Sequence, residues 1–160
     1  MNFLVWLESQ DLSAWVRESE YGYPFVLTCH SIGMAIVVGI VLIYSARLLG
    51  YAPGLPLSVF DGLFKMAWAG FALNAVSGAL LFMSNPVHLI ENLPFLLKMA
   101  MIAVGGLTIW RLARVQAMCL ADDGVLPVSA ETSIIAWANI IFWIGAISSG
   151  RIIAYTLSEG

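Results

Sequence analysis

Charge is what this sequence has least of. Of its 160 residues only 11% are charged, 7 basic against 10 acidic, for a net charge of −3. Soluble domains carry about a quarter charged residues, so a water-facing globule is excluded. Without a basic excess there is also no surface to meet a phosphate backbone, which sets nucleic-acid binding aside. Cysteine is equally scarce, and a disulfide framework needs more than the 2 present. With only 2 histidines, any imidazole chemistry must fall to His30 and His88.

What the sequence has in quantity is apolar residues, 61% of the total. A membrane-crossing helix needs roughly 20 of them in a row, because each residue rises about 1.5 Å across about 30 Å of hydrocarbon. Four runs qualify, over about 25–47, 64–85, 94–114 and 132–156. The first contains FVLTCHSIGMAIVVGIVLIYSA without a charge, and the third is interrupted only by Lys98 near its start. The fourth is uncharged as far as Arg151. The expected fold is therefore all-α: a single integral membrane domain, 1–160, built as a bundle of four transmembrane helices. Pro/Gly-punctuated loops follow the first span (YAPGLPLSVFDG) and the third (CLADDGVLPVSAE, with its Asp122-Asp123-Gly124 turn). NPVHLIENLP makes the tight connection between them.

Residues 1–23 do not read as a signal peptide, since they lack a basic start and hold Glu8, Asp11, Glu18 and Glu20. Phe3, Leu4, Trp6 and Leu7, then Leu12, Trp15 and Val16, are apolar at helical spacing. An amphipathic helix lying in the interface is the reading, with Asp11 or Ser13 capping a second short helix after a break. Orientation follows from basic residues at the span ends. Arg47, Lys65, Arg111 and Arg114 share one side, while Glu8, Asp11, Glu18, Glu20, Glu91 and Glu159 share the other. Both termini are expected on the periplasmic side of a bacterial inner membrane. Cys29 and Cys119 then fall at opposite ends, too far apart to bond.

Ionisable groups inside spans are costly, which makes them default candidates for function. Helix rise places His30 about 9 Å in from Pro24, Lys98 about 6 Å in from Pro94, and Arg151 about 12 Å in from Glu159. His88 follows the Asn85-Pro86 break. All fall in one layer on the acidic side. Ser31, Ala35 and Gly39 on the first span, and Gly70, Asn74 and Gly78 on the second, recur every four residues and would let backbones approach. Ser148, Arg151 and Tyr155 share a face of the fourth.

The segments TCHSIGMAIVVG (28–39), ARLLG (46–50), SGALLF (77–82), PFLLKM (94–99) and SGRIIAY (149–155) resemble the pattern of the DUF6644-type family of small four-helix bacterial membrane proteins. The resemblance spans the chain. His30, Lys98, Arg151 and Tyr155 stand at matching positions, and His88 stands outside the pattern. It implies the four-helix membrane fold and singles out those residues, without an activity to carry over.

Three functional readings follow. In the first the chain holds haem b, with His30 and His88 as axial ligands, Lys98 and Arg151 as partners of the propionates and Tyr155 among the cofactor-binding residues, and passes electrons between a periplasmic redox partner and quinone. In the second His30, Met34, Met83, His88 and Cys29 hold copper, a nitrogen and sulfur set suited to Cu(I). In the third a non-catalytic homo-oligomer or transporter uses Lys98 and Arg151 to bind an anionic lipid headgroup, a quinone or a small acid, with His30 as proton carrier.

Overall fold

The computed structural model describes residues 3–51, 53–121 and 129–156, and among them there are helices and turns but no strand. In chain order the helices are α1 (Phe3–Glu8), α2 (Asp11–Glu18), α3 (Gly22–Leu48), α4 (Val59–Ser84), α5 (Pro86–Glu91), α6 (Leu93–Ala121) and α7 (Ala130–Thr156). Four of them, α3, α4, α6 and α7, are long and apolar enough to cross a membrane. The chain is a four-span membrane protein of all-α class. The Asp122-Asp123-Gly124 turn, Glu159 and the Cys119 side chain lie outside the described residues.

Local signals set several of the helix ends. At the end of α3 the ARLLG segment closes as a Schellman turn: Tyr51 N–H donates to Ala46 O (3.0 Å) and Gly50 N–H to Arg47 O (3.2 Å). Gly50 takes φ +89°, a left-handed conformation in which a Cβ would be strained. Pro86 opens α5 at its first helical positions, where a missing N–H costs nothing. Asn92 Oδ1 accepts from Phe95 N–H (3.1 Å) at the start of α6, and Ser129 Oγ from Thr132 N–H (3.1 Å) at the start of α7. The expected tight connection between the second and third spans thus contains a helix of its own.

Packing pairs α3 with α4 and α6 with α7, and α3 joins the pairs by contacting α7. α4 and α6 run side by side with little backbone contact, leaving a seam between them. The apolar core centres on Val37, Val41, Tyr44, Phe60, Phe64 and Leu112. Tyr44 is fully buried, with the rings of Phe60 and Phe64 edge-on at 4.9 and 5.0 Å.

Glycines set both close approaches. A Cβ on Gly33 would lie 2.7 Å from Gly70 O and 2.8 Å from Asn74 N, so α3 and α4 meet backbone to backbone there. Between α6 and α7, Gly105 receives the Trp143 ring and Gly145 the Met101 thioether. Of the two small-residue stripes seen in the sequence, Gly70–Asn74–Gly78 packs as expected. The Ser31–Ala35–Gly39 stripe does not: Ser31 and Ala35 are exposed and Gly39 has open space around it. The packed face of α3 instead carries His30, Gly33 and Val37, set around the helix from that stripe.

The N-terminal segment is two short helices that dock on the bundle. On their outer side Phe3, Trp6, Leu12 and Trp15 are exposed, together with Asp11, Arg17 and Glu18. Ser13 and Val16 on the inner face are fully buried. Ser13 does not cap its own helix, and no side chain caps α2. It donates to Met83 O at 2.6 Å, and Arg17 donates to Ser84 O at 3.3 Å. These are carbonyls of the last turn of α4, which have no partner within their own helix, so α2 caps α4 from outside.

Candidate functional site

The end of the bundle where α3 begins and α4 ends carries the polar layer that the sequence points to. His30 lies eight residues into α3, Ser77 seven before the end of α4 and Lys98 five into α6, all about 8–12 Å from that end. The His30 side chain is 7% exposed and sits against α4, where Gly78 leaves the room: a Cβ there would lie 3.1 Å from His30 Cε1. His30 Nδ1 lies 3.1 Å from Asn74 O and 3.2 Å from Ser77 Oγ. A carbonyl only accepts, so Nδ1 carries the proton and Nε2 presents its lone pair. In return Asn74 Nδ2 donates to His30 O at 2.8 Å, locking the two helices reciprocally.

Nε2 faces Lys98, whose Nζ lies 3.4 Å away and donates to it. Lys98 is partly buried and reaches across the bundle from α6, flanked by α7 at Gly150, where a Cβ would lie 3.5 Å from Nζ. Among the described residues no carboxylate pairs with Lys98. The ion pairs among the described residues are Arg17–Glu8, Arg17–Glu18 and Lys65–Asp61, all at helix ends. Lys98 is therefore a cation within a span whose one described polar partner is a neutral imidazole. Two further N–H donors of its ammonium are free to meet a ligand.

The other candidates lie apart. His88 is exposed on α5 and forms no hydrogen bond with His30 or Lys98. Arg151 follows Gly150, so its depth is that of Lys98, but successive helical residues point about 100° apart and its side chain is exposed. Tyr155 is 72% exposed. His30 and Lys98 are thus joined in one contact, with His88, Arg151 and Tyr155 on the surface around it. No group of three or more His, Cys, Asp or Glu that could hold a metal occurs among the described residues. A metal at His30 Nε2 would have to displace the Lys98 ammonium, a cation replacing a cation.

A second polar layer, nearer the basic end, escaped the sequence reading. Asn139 on α7 is fully buried, and its Oδ1 accepts from Thr108 Oγ1 at 2.8 Å. Its Nδ2 donates to Ser45 Oγ at 2.8 Å and to Val41 O at 3.5 Å. An asparagine amid apolar residues of a span was the available signal. Two basic residues at that end are occupied locally: Arg47 Nε donates to Leu55 O at 2.7 Å, and Arg114 lies 3.8 Å over the Trp110 ring.

The fold and this layer define a class, a multi-pass membrane protein with an intramembrane His–Lys contact. No family model, curated protein or solved structure matches the chain.

Proposed function

We propose that this is a binding protein of the bacterial inner membrane, of the DUF6644 type, in which Lys98 holds the anionic group of a ligand within the bilayer. The single observation that carries the reading is a partly buried lysine with a neutral imidazole and no acidic partner among the described residues. A cation in a low-dielectric layer is costly, and an incoming anion relieves that cost. His30, fixed in the Nδ1–H form by Asn74 O, accepts from the ammonium and is the natural store for its proton. The clustering of Arg47, Lys65, Arg111 and Arg114 favours the orientation with both termini periplasmic, which puts the site in the outer leaflet. The exposed Ser31–Ala35–Gly39 face of α3 suits self-association.

The haem b reading is favoured by one observation. An imidazole whose Nδ1–H is held by a carbonyl is oriented as metal-ligating histidines are, with Nε2 as the ligand atom. His30 would be the ligand, and Lys98, displaced from Nε2, the partner of a propionate. A second axial ligand would come from a neighbouring subunit, because His88 is not brought to His30.

Purification in mild detergent separates the readings. The bound small molecules are identified by mass spectrometry, and the visible spectrum is recorded on the same sample. An acidic ligand present in the wild type and depleted in Lys98→Met is the expected result. A Soret band abolished by His30→Ala would replace the anion reading with haem.

A further inference from the structure

The seam between α4 and α6 continues the site downward. Below the polar layer it holds an apolar cavity of about 50 Å³ lined by Val37, Phe64, Trp68, Phe71, Gly106 and Ile109. Three helices place the cavity and the polar layer in the same register. Val37 lies seven residues beyond His30, Phe71 seven before Gly78, and Gly106 eight beyond Lys98 by way of Ile102. The two seven-residue spacings keep one helix face, the eight-residue one drifts round by about 80°, and all correspond to about 10–12 Å along each axis. Gly106 borders open space, since a Cβ on it would meet nothing within 4 Å.

Above the polar layer the seam is closed. Phe82 of α4 and Phe95 of α6 stack with ring centres 5.7 Å apart and planes 14° from parallel. Phe95 is three residues outward of Lys98, and Phe82 four outward of Gly78, so the stack lies about 5–6 Å toward the α1–α2 end. An anion coming straight from water meets two aromatic rings, whereas the lipid side of the seam has little backbone packing to cross. The His30–Lys98 contact offers one positive charge, which one negative charge balances. The cavity is apolar and has room for the end of a chain.

We infer that a single-chain carboxylate amphiphile enters the α4–α6 seam laterally from the bilayer, with its carboxylate on Lys98 and its chain over Phe71 and Gly106 toward the cavity. This rests on the anion-binding reading of Lys98 and adds the ligand class and the route. The full-length protein in phosphatidylcholine nanodiscs is titrated with palmitate, butyrate and hexadecanol. Palmitate binds. Butyrate, lacking the chain, and hexadecanol, lacking the charge, each bind about tenfold more weakly or worse. Lys98→Met weakens palmitate about tenfold or more and leaves hexadecanol unchanged, and Lys98→Arg restores palmitate. Gly106→Leu, which fills the seam where open space exists and improves helix propensity, weakens palmitate without lowering the unfolding midpoint.

If butyrate binds as tightly as palmitate and still depends on Lys98, the amphiphile inference fails while the anion reading stands. If nothing depends on Lys98, both fail. Equal weakening by diacyl phosphatidylglycerol competitor at the same concentration as a fatty-acid competitor would also overturn the single-chain assignment.

Discussion

The two polar layers of the bundle are built from the same kind of interhelical hydrogen bond and differ in whether the set is closed. Around Asn139 the acceptor takes Thr108 and both amide hydrogens have acceptors, in Ser45 and Val41. All of these residues are neutral and buried, and nothing more is needed. Around His30 the ring is equally well held on one side, by Asn74 and Ser77, but on the other it meets an ammonium with donors to spare. Closure marks the first layer as interhelical glue. The open, charged set around His30 and Lys98 is the feature on which the proposed anion site rests.

Forcing α3 and α4 apart breaks this comparison most severely. Gly33→Ala puts a methyl 2.7 Å from Gly70 O and 2.8 Å from Asn74 N, and neither backbone atom can swing away. The expected cost is about 2–3 kcal/mol of stability, despite the better helix propensity of alanine. The damage should be confined to one layer. Nitrogen-15 spectra of the two histidines should show His30 displaced from Asn74, while the Asn139 side-chain amide keeps its shifts. Loss of both layers together would mean that they are one cooperative unit.

A smaller and opposite pair of effects comes from deleting one member of each layer. Asn139→Leu removes the acceptor of Thr108 and the donor to Ser45, and should cost about 1–2 kcal/mol, with ligand binding unchanged. Lys98→Met removes a cation from an apolar span and should leave stability equal or slightly higher, with binding lost. Detergent-titrated unfolding beside the ligand assay reads both. Similar losses of stability in the two variants would show that Lys98 is structural.

These layers were unequally legible in the sequence, for a physical reason. His30 and Lys98 stand out because charge and imidazole are rare in spans, and helix rise fixes their depth. Depth alone does not give direction around the helix: Gly150 faces Lys98, while Arg151, one residue on, is exposed. Periodicity found the Gly70–Asn74–Gly78 stripe, which packs, and the Ser31–Ala35–Gly39 stripe, which does not, because both faces of a membrane helix are apolar and pattern cannot say which meets a neighbour. Asn139, Thr108 and Ser45 carry no charge to draw notice. The docking of α2 on the α4 carbonyls was hidden as well, since a serine suited to a cap does not reveal whose carbonyl or N–H it serves.

The finest distinction between the layers concerns how the imidazole is seated, and Gly78 tests it. A methyl in Gly78→Ala would lie 3.1 Å from His30 Cε1 and 3.4 Å from Nδ1, so the ring must yield by a few tenths of an ångström. Alanine gains up to about 1 kcal/mol of helix propensity over glycine, which offsets the crowding and leaves stability close to unchanged. Any such shift of the ring changes the distance to Asn74 O, now 3.1 Å, or to Lys98 Nζ, now 3.4 Å. The His30 nitrogen-15 signals should therefore move while those of exposed His88 and the Asn139 amide stay fixed. Unmoved His30 signals would mean that its ring is not seated on Gly78.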